Sequence, residues 1–465
     1  MFSVIIKTFY QYYNIMEDNK MDMLEIIIAK RFSKELSAEQ ISYFVKGVTD
    51  KSIPDYQISA LLMAVVLNGM TKQEMTELTM QMAFSGDVCD LSAIKGTKVD
   101  KHSSGGVGDK CTLIVLPIVA ACGIPIAKLS GRGLGFTGGT IDKLESISGF
   151  QTSIPVSQFV EQINKAGMVL SGQTPELAPA DKYLYALRDV TGTVQSIPLI
   201  ASSIMSKKIA GGADAIVLDI TCGSGAFMKD EESARELSMA MIQIGKIAGR
   251  PVTCVITSMD QPLGSAVGNT IEVREAYDSL SGKGSKDVNE VSFTLAAAMI
   301  RRSDIGKGLS FEEAYAMAEK TIQDGTAKAC FEKFITAQGG LIDTYGSPVY
   351  TDVPVECAQL PAKEDGYISR LDALLIGESS MHLGAGRRKK TDIIDMGAGI
   401  ALYRKIGDFV KKGDVIAKLY KGTASEITDS AIQYALTLTE SAVSISGEAV
   451  TAPREILAIL DEDSL

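Results

Sequence analysis

The chain has 465 residues, is 46% apolar and carries a formal net charge of −11, which fits two or three folded domains rather than disorder and excludes a nucleic-acid binder, since phosphate backbones are held by surplus Lys and Arg. Two histidines, His102 and His382, exclude a histidine-rich metal site. Seven cysteines, an odd number without Cys-x-x-Cys, fit a reduced cytoplasmic protein, and no run of about 18 apolar residues marks a membrane span.

Residues 1–20 read unlike the rest: too short and interrupted for a membrane helix, without a small-residue cleavage site. They are expected to be a disordered extension or to reflect a misplaced start. Residues 23–86 read as helices. Ser37 to Gln40 is a capping-box pattern, and Thr71 with Glu74 opens a second capped helix. Met63, Met70, Met75, Met80 and Met82 are expected to serve core or interface packing.

Lys98 to Ser103 reads as extended, followed by the glycine loop Gly105 to Gly108, a buried helix over about 110–122, a short strand ending at Ser130, and a second glycine-rich loop from Gly131 to Thr140. Glycines let backbone N–H groups approach an anion, and such turns and the helix starts behind them form anion nests. Two such loops with Ser, Thr and Lys predict a phosphate or carboxylate site. Neither carries a standard nucleotide fingerprint. The first has Gly-Asp-Lys where a Walker A loop needs Gly-Lys-Ser/Thr, and Phe136 stands at the last glycine of the dinucleotide pattern.

Lys-His-Ser-Ser-Gly-Gly-Val-Gly-Asp from Lys101, and Ser-Gly-Arg-Gly-Leu-Gly-x-Thr-Gly-Gly-Thr-x-Asp-Lys-Leu-Glu from Ser130, resemble the signatures of the thymidine/pyrimidine-nucleoside phosphorylase family. The likeness covers almost the whole chain from about Met21. It implies an α/β fold class in three parts. A small all-α domain (21–86 and 179–210) carries base binding and the dimer contact. A large α/β domain with a mixed sheet (87–178 and 211–364) binds phosphate. A C-terminal α/β-hammerhead, barrel-sandwich-like unit spans 365–465. The implied reaction is phosphorolysis of a pyrimidine nucleoside to free base and (deoxy)ribose 1-phosphate in a cytoplasmic homodimer. Inorganic phosphate is the co-substrate, with no organic cofactor, nucleic acid or membrane partner.

Alternation along an extended segment puts Lys101 and Ser103 on one side and His102 on the other. That predicts phosphate on Lys101 and Ser103, and base on His102 as donor to the leaving group. Thr112 in the first turn of its helix, Ser130 and Thr140 add hydroxyls on phosphate. The resemblance adds Lys128 to this set, a lysine typical of broad pyrimidine-nucleoside phosphorylases, where thymidine-restricted relatives carry an apolar residue. Phe136 replaces a usual His, Ser104 a usual Thr, and Thr221 a usual Lys.

Tyr185 and Arg188 are three apart on one predicted helix, and Ser203 and Lys207 four apart on the next. By spacing alone these are solvated faces. By resemblance they read the base, with Arg188 and Lys207 also supplying positive potential to the reaction. The resemblance further implies a structural potassium ion held by the carbonyls of Gly108, Leu263 and Ala266 and the side chain of Glu275, with Lys110 where some relatives supply a Thr ligand. Ile406 to Ala417 resembles the strand-turn-strand of biotinyl/lipoyl barrels, and the missing Met-Lys-Met argues against a carrier role. The basic run from Gly384 is read as structural or at the cleft mouth, and His382 as structural. Three rivals remain: a thymidine-specific phosphorylase, the fold relative anthranilate phosphoribosyltransferase, and a silent nucleoside- or phosphate-binding protein.

Overall fold

The computed structural model describes residues 21–465 apart from 134, 136, 137 and 390. The expectations on residues 1–20 and on Phe136 lie outside the described residues.

Four helices, Met23–Arg31, Ala38–Thr49, Asp55–Asn68 and Lys72–Ala83, open the chain. Both expected capping boxes form: Ser37 and Gln40 satisfy each other's backbone N–H, as do Thr71 and Glu74. Glu74 does more than cap, because its carboxylate also takes the buried Lys30 ammonium at 2.8 Å and the Leu36 N–H. Ile26, Phe44, Val48, Ile58, Leu62, Leu78 and Met82 form one core with Leu184 and Leu199. Those last two come from helices Pro179–Thr191 and Ile197–Ala210, so residues distant in sequence join one bundle. Met75 and Met82 are buried, whereas Met63 is on the exposed face.

The central sheet of the large domain takes β1 (Val99–Ser103), and a separate parallel pair is formed by β2 (Ile126–Ser130) and β3 (Met168–Gly172). Next in the chain come β4 (Ala215–Cys222) and β5 (Val252–Ser258). β1 pairs parallel with β4, and β4 parallel with β5. Every residue of β4 is buried, as expected of a strand covered on both faces. Helices Cys111–Ala121, Lys286–Arg301 and Thr326–Ala337 contribute to the core on one side, and Glu231–Ile247 to that on the other.

The C-terminal region contains β7 (Val355–Pro361), β8 (Gly366–Leu371), β9 (Gly399–Leu402), β10 (Phe409–Val410), β11 (Val415–Lys421) and β12 (Val443–Ser446), preceded in the chain by β6 (Ala266–Gly268). One sheet runs β10-β8-β12 and another β6-β9-β11-β7. Strand pairing crosses the expected boundary between 211–364 and 365–465. β7 bonds into the C-terminal sheet, and β6 of the large domain joins that sheet's other edge. The last strand, β13 (Ile456–Leu460), leaves the C-terminal unit and pairs antiparallel with β5. This return makes the central sheet mixed and covers its open edge. His382 packs edge-on against Tyr434 with ring centroids 4.8 Å apart. Among the described residues no helix is long and apolar enough to cross a membrane.

Candidate active site

β1 delivers Lys101, His102 and Ser103 to the end of the central sheet. Lys101 is fully buried, with its Nζ 3.3 Å from Asp219 Oδ2 on β4 and 3.9 Å from Asp109 Oδ1 after the glycine loop. Burial opposes its charge, but Asp109 and Asp219 outweigh burial and raise its pKa. Burial raises the Asp219 carboxyl in turn, while Lys101 and then Lys143 hold Asp109 below the carboxylate range against its burial. Ser103 lies on the Lys101 side. Its hydroxyl accepts from the Gly105 N–H at 3.1 Å and helps to hold the Asp109 carboxyl down. The alternation along β1 therefore puts Lys101 and Ser103 around one carboxylate.

His102 occupies the opposite side, partly exposed. Desolvation, then Lys208, Lys128, Lys207 and Lys101, push its pKa well below 6.5, so the ring is a neutral imidazole at neutral pH. Lys128 reaches Asp100 Oδ1 at 3.2 Å and donates to Leu129 O, while Lys208 reaches Asp100 Oδ2 at 2.7 Å. Two buried ammoniums thus share one buried carboxylate. Burial pushes Lys128 down to about 7, Asp100 resisting and Lys208 reinforcing the shift. Lys128, expected with the phosphate hydroxyls, is committed to Asp100 and belongs to the charges around His102.

Thr112 is the second residue of its helix and buried; Ser130 ends β2 and Thr140 opens helix Thr140–Glu145, both half-buried. The two glycine loops are physically joined. Lys143 of that short helix donates to Asp109 O at 2.6 Å and faces Glu272 at 2.7 Å. Asp142 accepts from the Gly133 N–H at 2.7 Å, from Arg132 and, at 2.9 Å, from Arg387 of the basic C-terminal loop. The first loop is clamped to β4 by Thr221. Its hydroxyl donates to Gly105 O and bonds Ser104, and its N–H donates to Ser104 Oγ at 2.9 Å.

The two helix faces meet, which spacing alone did not imply. Lys207 Nζ donates to Ser203 Oγ at 2.9 Å, and the half-exposed Tyr185 ring lies 6.0 Å from Lys207 and 5.9 Å from the Arg188 guanidinium. Lys207 is also anchored by Asp181 at 2.6 Å. Arg188 is differently employed. Its Nε, Nη1 and Nη2 donate to the carbonyls of Thr193, Leu199 and Val194, so three of its five N–H groups fix the turn between the two helices. Burial lowers its pKa.

Three of the four expected potassium ligands, Leu263 O, Ala266 O and Glu275 but not the Gly108 carbonyl, converge on a different cation. Lys110, fully buried, donates from Nζ to Leu263 O at 2.7 Å, Ala266 O at 3.0 Å and Glu275 Oε2 at 2.6 Å. The ammonium occupies the centre of the oxygen set, and a second positive charge does not fit beside it. Lys110 is therefore a competitor for the ion rather than a ligand.

Sequence reading missed Asp100, Asp109, Asp181, Asp219 and Lys208, the counter-charges of the site. Asp219 offered the clearest signal, a carboxylate within the otherwise apolar run Ala215 to Ile220. Among the described residues, Asp109, Cys111 and Asp219 group as potential metal ligands, yet Lys101 already lies against both carboxylates.

A helical bundle is joined to an α/β domain with two linked glycine loops at the sheet end and a polar cluster on the facing helices, and the family models and relatives that match this arrangement make it an enzyme of the pentosyltransferase class. The glycosyl transferase family helical bundle domain matches residues 24–86, and the glycosyl transferase family a/b domain residues 95–328. The pyrimidine nucleoside phosphorylase C-terminal domain matches residues 367–440. Pyrimidine-nucleoside phosphorylase of Bacillus subtilis is 51% identical over 400 residues, 86% of this chain and 92% of that protein. The Geobacillus stearothermophilus enzyme is 50% identical with the same coverage, and that of Staphylococcus epidermidis 48% identical over 94% of this chain and all of its own. Anthranilate phosphoribosyltransferase from Thermus thermophilus shares the fold at TM-score 0.53 and 17% identity, covering 67% of this chain and 99% of its own. The chain belongs to the pyrimidine-nucleoside phosphorylase family.

Proposed function

We propose that this enzyme cleaves uridine, thymidine and deoxyuridine with inorganic phosphate, reversibly, in the cytoplasm and as a homodimer through its helical bundle. The observation that supports this best is His102 seated between two sets of groups: Lys101 with Ser103 on one side of the strand, and a lysine-lined face continuing to Lys207, Ser203 and Tyr185. Phosphate binds among the hydroxyls of Ser103, Thr112, Ser130 and Thr140 beside Lys101, whose charge offsets that of Asp109 there. A phosphate oxygen attacks the anomeric carbon opposite the base, the C–N bond breaks, and its electron pair leaves on the base. The product is the inverted α-1-phosphate. His102 donates a neutral N–H hydrogen bond to the base carbonyl as that charge develops, and Lys207 adds field. Ser203 and Tyr185 orient the ring. Arg188 shapes the pocket by holding the turn, with two N–H groups left for the base.

Lys128 supports acceptance of the ribo- as well as the deoxynucleosides. The test is phosphate-dependent release of free base from all three nucleosides. Turnover of all supports the reading, turnover without uridine overturns the Lys128 argument, and no phosphate-dependent turnover overturns the activity. His102→Ala retaining full kcat/KM removes the donor assignment.

A further inference from the structure

The segment from Pro262 to Ala266 links the central sheet to β6 and hence to the C-terminal sheet. It is an irregular loop whose backbone is held by charge on every side. The Gly264 N–H donates to Asp287, and the Ser265 and Ala266 N–H groups donate to the two oxygens of Glu275. Lys405 donates to the carbonyls of Pro262 and Gly264 from the C-terminal unit and pairs with Asp287 at 3.1 Å. Lys110 completes the set from the phosphate-loop side, with all three of its protons directed at oxygens. A Cβ built on Gly264 would meet the Lys110 Nζ at 2.7 Å and Glu275 Oε1 at 2.6 Å, and one on Gly108 the Leu263 O at 2.6 Å. The glycines thus allow the two loops to close around the ammonium.

Two carbonyls and a carboxylate converging on one point form the oxygen set that suits a hard monovalent cation. Here the point is filled by a cation covalently tethered two residues beyond the glycine loop. We infer that the Lys110 ammonium serves this enzyme as a built-in monovalent cation, holding the Leu263–Ala266 segment to the phosphate loop with no dissociable ion. Emptying the position by Lys110→Thr leaves Leu263 O, Ala266 O and Glu275 facing a vacant centre, which turns the protein into one that takes up potassium.

The experiment compares wild type and K110T in buffers whose only cation is tetramethylammonium, with and without KCl at constant ionic strength. The readouts are Tm and, for the assayable enzyme, KM for phosphate. Wild-type Tm and KM are expected to be unmoved by KCl. K110T is expected to lose roughly 5–10 °C in tetramethylammonium and to regain most of it saturably with KCl. A wild-type Tm that climbs saturably with KCl overturns the inference, and this measurement decides even if K110T does not fold. K110T matching wild type without potassium also overturns it, as does a loss that no monovalent ion repairs, which would leave Lys110 an ordinary ion-pair partner. Tm is independent of the substrate assignment, so failure here and failure of the proposed phosphorolysis are distinguishable.

Discussion

Replacing Asp100 with Asn tests whether one buried carboxylate carries two lysines beside His102. The side chain keeps its size, and the amide oxygen still accepts from Lys208, now at 2.7 Å from Asp100 Oδ2. The amide NH2 then faces Lys128, which sits 3.2 Å from Oδ1, donor against donor. Breaking a buried ion pair from one side costs about 3–5 kcal/mol. Lys128 is already held at about 7, so it can shed its proton at modest cost. The lower end, about 3 kcal/mol near neutral pH, is therefore expected, a fall in Tm of roughly 6–12 °C for a domain of this size. The sign with pH follows from linkage. Well below pH 7 Lys128 is charged in the wild type and the variant carries the full penalty. Above it Lys128 is neutral in both folded proteins and the penalty shrinks. Thermal unfolding of both proteins at about pH 6 and about pH 9 measures this. A loss under about 1 kcal/mol at the lower pH, or one that grows with pH, would refute the shared-carboxylate account.

His102 in the free enzyme should titrate below 6.5, followed by imidazole NMR with H102A assigning the signal. Because the folded-state pKa is depressed, the unfolded chain binds the extra proton, and His102 subtracts stability as pH falls from 6.5 toward that folded value; a midpoint at or above 6.5 contradicts the lysine field. Arg188→Lys removes the fork that serves three carbonyls, so it should cost about 2–3 kcal/mol and raise KM for nucleoside while leaving KM for phosphate nearly unchanged. Thr221→Val deletes the hydroxyl bonds to Gly105 O and Ser104. It should raise KM for phosphate by roughly three- to tenfold, with nucleoside KM as the control; an unchanged phosphate KM would mean that the clamp does not position the loop.

Local features were readable from the chain because local physics sets them. The Ser37 and Thr71 caps, Pro179 at a helix start, the alternation of Lys101, His102 and Ser103, and the pairing of Ser203 with Lys207 depend on residues within about one helical turn or one strand. The glycine loops were legible as turns for the same reason. What tertiary structure decided was the partner of each charge. Asp219 lies 118 residues from Lys101, Glu275 165 from Lys110, and Lys208 108 from Asp100. No spacing rule links such pairs: parallel strands bring Lys101 and Asp219 together only through a long crossover, and the other two pairs meet where separate elements pack. Arg188 illustrates the difference in the other direction: its helix face was legible, but its commitment to the carbonyls of the following turn was not. β13 falls by sequence within the C-terminal span 365–465, and only the exposed hydrogen-bonding edge of β5 gives it a place in the central sheet. Lys110 depends on both levels. Its position after the glycine loop is local, while its role comes from a distant loop whose carbonyls and carboxylate needed a cation at that point.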